Sequence, residues 1–204
     1  MRLYRANFST NSERVALALA HKGIEVDSTY ISYDDRSEVE EVSGQPLVPV
    51  LVDRGNVVVD SMQIVAYLED LVPQPALYPR DEARYAETLI FIDWFNRVWK
   101  LAPNRIEAEL CTEQPDHMLV TSLAREMAAA LDGFEALLAG RKYLMGDEFS
   151  AADCAAFPFL KYAARREPAD NEAFHEILDS YQQLTDEHWR LRSWIKRVDA
   201  LPRA

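Results

Sequence analysis

Apolar and polar positions change their spacing several times in the first third of the chain. Arg2 to Ala6 is a short strand-like run. From Glu13 to His21 the spacing becomes helical, with Val15, Ala18, Leu19 and Lys22 at i, i+3, i+4 and i+7 and Gly23 placed to stop the helix. Ile24 to Ser32 alternates like a strand, and Asp34 to Val42 is acidic and weakly helical. The β-branched runs Val48-Pro49-Val50-Leu51-Val52 and Val57-Val58-Val59 flank Asp53-Arg54-Gly55-Asn56, a hairpin signature. Ser61 to Leu71 returns to helical spacing through Ile64, Val65, Leu68 and Leu71. The order β-α-β-α-β-β-α predicts a small α/β domain over residues 1–72.

A proline-rich stretch follows, with Pro73, Pro75 and Pro79 interrupting any helix, so residues 73–82 read as a linker. Residues 83–204 carry helical patterning and almost no strand signal. Helices are predicted over Ala83–Leu101 (ended by Pro103), Met118–Leu138, Ala151–Arg165, Glu172–Tyr181 and Glu187–Asp199.

Composition narrows the function classes. The chain is 204 residues long and 49% hydrophobic, enough for a sizeable core. Its formal charge of −12 opposes a phosphate backbone, so nucleic acid is not an expected partner. Cys111 and Cys154 form no CxxC or metal-like pattern, and the four histidines form no spaced cluster, so neither a disulfide framework nor a metal site is predicted. The first residues carry no long apolar run, and no segment reaches the ~18 apolar residues that span a membrane. A cytoplasmic protein with no membrane partner is expected.

Three short stretches carry candidate chemistry, and each has a structural reading beside the functional one. In Phe8-Ser9-Thr10-Asn11-Ser12-Glu13, Thr10 and Glu13 have capping-box spacing, while Ser9 offers a hydroxyl at a helix start. A proline at Val48-Pro49 is compatible with a trans peptide on an edge strand, or with a cis peptide exposing the Val48 backbone to an extended peptide ligand. In Asp60-Ser61, Ser61 is a good N-cap; alternatively its hydroxyl and the helix N-terminus hold a carboxylate, and Asp60 holds an ammonium. Together these two would suit an amino-acid head. Phe91, Trp94, Phe95 and Trp99 follow helical spacing and suit core packing or part of an apolar pocket.

Taken in order, the helix start FSTNSERVALALAHKGI, the VPVL strand start, the DS helix start and GDEFSAADCAAFPFL resemble the cytosolic glutathione transferase family over nearly the full chain. The resemblance implies a thioredoxin-like α/β domain followed by an all-α helical domain. It also implies a family-type capping box at Ser150-x-x-Asp153. Aligned on the Glu-Arg and Lys-Gly pairs, Ser9 falls where serine-type members (zeta-like and tau-like) carry their catalytic serine, and where omega-like members carry cysteine. The implied activity is glutathione transfer, with Ser9 stabilising the thiolate of the co-substrate glutathione, Val48, Pro49, Asp60 and Ser61 binding it, and no metal. An electrophile pocket near Trp94 and Trp99 and a homodimer are further implications. No Lys or Arg precedes Val48 in Ser43–Leu47, leaving Arg36 or Gln45 to meet the glycine carboxylate. The alternatives within the same fold are a glutathione-dependent isomerase of the zeta type, or a non-catalytic regulator resembling stringent starvation protein A.

Overall fold

Four short strands form one mixed sheet: β1 (Arg2–Arg5), β2 (Asp27–Tyr30), β3 (Val50–Asp53) and β4 (Asn56–Val59). The computed structural model describes all 204 residues and places the strands in the order β2-β1-β3-β4. β1 runs parallel to β2 and antiparallel to β3, and β3 runs antiparallel to β4. The two central strands supply buried Leu3, Tyr4, Val50 and Leu51, whereas edge strands β2 and β4 are largely exposed. Asp53 pairs with Asn56, so the hairpin loop is Arg54-Gly55, both at positive φ as a two-residue primed turn requires.

Three helices complete this unit: α1 (Thr10–Lys22), α2 (Ser37–Ser43) and α3 (Ser61–Leu71). α1 buries Val15, Ala16, Leu17, Ala18 and Leu19 and packs against α3, which buries Ile64, Val65 and Leu68. It ends at Gly23 in the left-handed conformation (φ 63°), where the Gly23 and Ile24 N–H groups return to the Ala20 and Leu19 carbonyls. The last α1 residue, Lys22, is fully buried at its side chain and donates to Glu69 and to the Pro75 carbonyl. Residues 73–79, expected as a linker, therefore pack onto this unit; Leu77 is buried and its N–H donates to Glu69 at 2.9 Å. The tail Leu201–Ala204 belongs to it as well, with Arg203 paired to Glu13 at 3.0 Å and the Ala204 N–H donating to the Ala16 carbonyl at 3.2 Å.

The second unit, Arg80–Ala200, is helical. It contains α4 (Glu82–Trp94), a π turn (Phe95–Trp99), α5 (Leu101–Leu110), α6 (His117–Leu137), α7 (Ala151–Leu160) with a 3-10 turn (Lys161–Ala163), α8 (Ala173–Tyr181) and α9 (Trp189–Asp199). Pro103 does not end a helix. It lies in the first turn of α5, where no intrahelical N–H is needed. Just upstream the chain passes through the π turn, in which the Lys100 N–H returns to the Phe95 carbonyl at 3.0 Å.

α7 is buried on every face and is the centre of this unit. At its start Asp153 accepts four hydrogen bonds, from Ser150 N–H (2.9 Å), Ser150 Oγ (2.7 Å), Leu144 N–H (3.0 Å) and Trp194 Nε1 (2.7 Å). The capping box predicted from sequence is present, and it also ties α9 and the turn before α7 to one carboxylate. A second buried cluster joins Asp170, His175 and Tyr162. The Tyr162 hydroxyl donates to Asp170 at 2.7 Å, His175 Nδ1 lies 2.9 Å from the same carboxylate, and the two rings stack with centroids 4.7 Å apart.

Two stability predictions come from these clusters. Asp153→Ala strands four buried donors, so it should destabilise the protein by about 2–4 kcal/mol, against ~1 for an ordinary cap. Denaturant unfolding of the folded variant measures this, and a loss of only cap size would mean that the Trp194 and Leu144 bonds add nothing. The second concerns acid. Burial pushes the Asp170 carboxyl up, but hydrogen bonds from Tyr162 and His175 outweigh it and hold the group below its usual range. Burial likewise holds the His175 imidazole below its usual range, against the pull of Asp170. The unfolded chain therefore takes up these protons first, at about pH 6.5 for the histidine and about 3.9 for the carboxyl. Stability should fall as pH drops below about 6.5 and again below about 4. A melting-temperature profile from pH 8 to 5 should slope downward on acidification in the wild type and flatten in His175→Asn; parallel profiles would remove His175 as the cause.

Candidate active site

Strand register decides which loops meet. Tyr4 on β1 faces Val50 on β3, and Val50 faces Val59 on β4. One step beyond this row, β1 runs on toward Asn7-Phe8-Ser9, β3 is preceded by Val48-Pro49, and β4 runs into Asp60-Ser61. On the other side Arg5 faces Tyr30, so β2 leads to Ile31, Tyr33 and Arg36 at the same end. The three stretches singled out in the sequence thus converge at one end of the sheet, the carboxyl ends of its three co-directional strands, where α/β folds bind ligands.

Ser9 is the N-cap of α1. Its Oγ accepts the Ser12 N–H at 3.2 Å, and its carbonyl accepts the Glu13 N–H at 2.9 Å. The capping-box reading through Thr10 and Glu13 is corrected here: the helix starts at Thr10, so the cap falls one residue earlier. Phe8 precedes it at φ 59°, a costly conformation for an aromatic residue that turns the chain into the cap.

At α3 the cap is Asp60, not Ser61. Asp60 Oδ1 accepts both the Met62 N–H (2.9 Å) and the Gln63 N–H (3.1 Å), with the residue at φ 68° and ψ 125°. Ser61 becomes the first helical residue, 4% exposed, and its Oγ accepts a hydrogen bond from Arg14 Nη1 at 3.2 Å. Arg14 itself is 2% exposed and sits on α1, so this bond links the two helix starts directly. In the sequence Arg14 stands only as half of the Glu-Arg pair, and its i+5 spacing from Ser9 gives no sign that it reaches Ser61.

The Val48-Pro49 peptide is cis, which excludes the trans edge-strand reading, and β3 is a central strand. Val48 is half-buried, packed against Tyr4, Ile31, Val39 and Val50. Of the two residues nominated for a glycine carboxylate, Gln45 is committed to its own loop: its amide donates to the Leu47 carbonyl (2.9 Å) and accepts the Leu47 N–H (2.7 Å). Arg36 stacks 4.6 Å over the Tyr33 ring, and its Nη1 is buried without a hydrogen-bond partner. Tyr33 in turn donates to the Asn7 carbonyl at 3.0 Å, two residues before Ser9.

In the helical unit Trp94 is 37% exposed and borders Phe91, Phe95 and Phe134. Trp99 is 4% exposed and stacks on Phe95 at 4.5 Å, with Phe134 and Phe159 edge-on, so it packs in the core. No group of histidine, cysteine or acidic side chains is arranged to hold a metal ion, and no helix is long and apolar enough to cross a membrane.

Comparison with known proteins agrees with the fold. Residues 3–93 match the glutathione S-transferase N-terminal domain and residues 82–197 match the glutathione S-transferase C-terminal domain. A stringent starvation protein A homolog of Haemophilus ducreyi is 26% identical over 166 residues, covering 78% of this chain and 73% of its own. A probable maleylacetoacetate isomerase 1 of Drosophila melanogaster is 29% identical over 191 residues, covering 87% and 74%. The crystal structure of a tau class glutathione S-transferase from mango, Mangifera indica, superposes with a TM-score of 0.77 at 18% identity, covering 98% of this chain and 88% of that one. The chain belongs to the glutathione S-transferase family.

The caps at this site can be separated from any ligand. Asn is as good an N-cap as Asp and tolerates positive φ, so Asp60→Asn should stay within about 0.5 kcal/mol of wild type, while Asp60→Ala should lose about 1 kcal/mol. Urea unfolding distinguishes them; equal losses would show that the carboxylate charge, and not the cap geometry, carries the stability.

Proposed function

We propose that this member of the glutathione S-transferase family binds glutathione at the sheet end just described and activates its thiol for attack on a small electrophile. One observation carries the reading. Two serine hydroxyls stand at neighbouring helix N-termini, and each has its Oγ occupied as an acceptor, Ser9 by Ser12 N–H and Ser61 by Arg14. A hydroxyl that already accepts still has its own proton to donate, so both serines suit anionic partners.

In this reading Ser9 donates to the glutathione sulfur. A free thiol of pKa ~8.5 is only about 3% thiolate at pH 7. A hydrogen bond to the charged form contributes ~1.5–3 kcal/mol, or roughly one to two pKa units, which makes the thiolate a major species. The α1 N-terminus acts in the same direction. The thiolate then forms the new S–C bond, and the electrophile's leaving group departs with its electron pair, or a conjugate acceptor takes up a proton.

The peptide is held by the remaining groups. Asp60 caps α3 through Oδ1, leaving Oδ2 for the ammonium of the γ-glutamyl head. The Ser61 hydroxyl and N–H meet the α-carboxylate of that head. The Val48 backbone, next to cis Pro49, pairs with the extended cysteinyl part. Arg36, rather than the engaged Gln45, meets the glycine carboxylate. A homodimer in the cytoplasm completes the proposal; the exposed apolar residues Tyr85, Leu89 and Ile90 on α4 are consistent with self-association. The similarity to a probable maleylacetoacetate isomerase supports a second reading with the same chemistry, in which the thiolate adds reversibly to the substrate and glutathione is regenerated.

The test is the thiolate absorbance of the glutathione complex against pH. Ser9→Ala should shift the titration upward by one to two units and slow turnover, with glutathione affinity changed little. Superimposable titrations would leave Ser9 as a cap alone and overturn its catalytic assignment.

A further inference from the structure

We infer that Arg14 is the positioning residue that makes Ser61 a dedicated donor to the γ-glutamyl α-carboxylate, and so sets the preference for a ligand bearing that carboxylate. The inference rests on the glutathione reading above. Arginine has donors only, so in the Arg14–Ser61 bond the guanidinium must donate and the Ser61 oxygen must accept. A serine at the first position of a helix can otherwise turn its lone pairs toward nearby N–H groups and its proton inward. With one lone pair held by a buried cation, the Ser61 proton is left to point away from Arg14, and polarisation by the cation makes it a stronger donor.

Charge acts in the same sense. Arg14 is almost wholly buried at the packed α1–α3 pair, behind the N-terminus of α3. Its positive charge adds to the field at the α3 N-terminus in a setting that water screens weakly. Such a field favours an anion over a neutral group at Ser61, which is a preference for one part of the ligand and not for the thiol. Arg14 does not touch the sulfur in this scheme; it acts through Ser61.

The experiment compares two ligands by calorimetry: glutathione, and 4-aminobutyryl-cysteinyl-glycine, which is glutathione without its α-carboxylate. Wild-type protein should bind glutathione about tenfold or more tightly over the analogue. Arg14→Met should lose most of that ratio by weakening glutathione binding while the analogue binds as before, with kcat at saturating glutathione within about twofold. In the Ser61→Ala background, Arg14→Met should change the ratio much less than in wild type, because the two residues act as one unit. A merely structural role would weaken both ligands together and leave the ratio intact, and that result overturns the inference. If Arg14→Met does not fold, Arg14→Lys replaces it: the charge stays but the fixed guanidinium geometry is lost, so the ratio should fall at least about threefold, and an unchanged ratio overturns the inference equally. Wild-type protein that binds neither peptide overturns the glutathione reading and this inference with it, whereas wild-type discrimination that survives in the variant overturns this inference alone.

Discussion

The antiparallel register at Val50 is the constraint on which the site depends. Because Val50 faces Tyr4 on one side and Val59 on the other, the loops beyond that row must emerge together. A slip of one residue would turn Val50 and Leu51, both fully buried, toward the opposite faces of the sheet and break the core on both sides. The core thus fixes the site without contributing a functional atom to it. Burial of Leu3, Tyr4, Val50 and Leu51 sets the register, and the register brings Ser9, Val48, Asp60 and Ser61 to one end.

At that end, capping and function do not compete. The first-turn N–H groups of a helix need acceptors, and Ser9 and Asp60 supply them. Capping uses lone pairs, whereas binding an anion uses protons. Ser9 can cap through its oxygen and still donate, and Asp60 caps through one oxygen and keeps the other. Capping a helix and meeting a ligand are therefore compatible roles for one residue, and the stability of the helix start holds these side chains in place.

Much of this was legible in the sequence, for identifiable reasons. Strand and helix order followed from changes of period that packing against one core makes obligatory. The hairpin at Arg54-Gly55 and the stop at Gly23 followed from residues that tolerate positive φ. What was missed depends on relations that one-dimensional spacing does not carry. The caps fell one residue earlier than read at both α1 and α3, because which residue caps is decided by where the preceding strand releases the chain, and Phe8 and Asp60 take up that turn at positive φ. Pro103 reads as a helix end because spacing alone does not show that it opens a second helix, in whose first turn its missing N–H is tolerated. Nothing in the local spacing marks Arg14 or Tyr33; their partners Ser61 and Asn7 are distant in sequence and near only once the sheet has formed.

Fold alone does not choose the function, since a stringent starvation protein A homolog, a probable maleylacetoacetate isomerase and a glutathione S-transferase are all similar to this one frame. The caps do not choose either, because a protein with no ligand still needs its helices capped. Arg14 is different in kind. Its neighbours Val15, Ala18 and Leu19 show that an apolar side chain packs well on this helix, and burying a guanidinium there costs desolvation that an apolar residue of similar volume would avoid. The Arg14–Ser61 bond ties the two helix starts together in return. A site that must present an aimed hydroxyl and a positive field to a carboxylate gains both from one residue, and departures from local economy are expected where function resides. On that argument the buried cation stands beside the two serine hydroxyls in support of the proposed ligand-binding end.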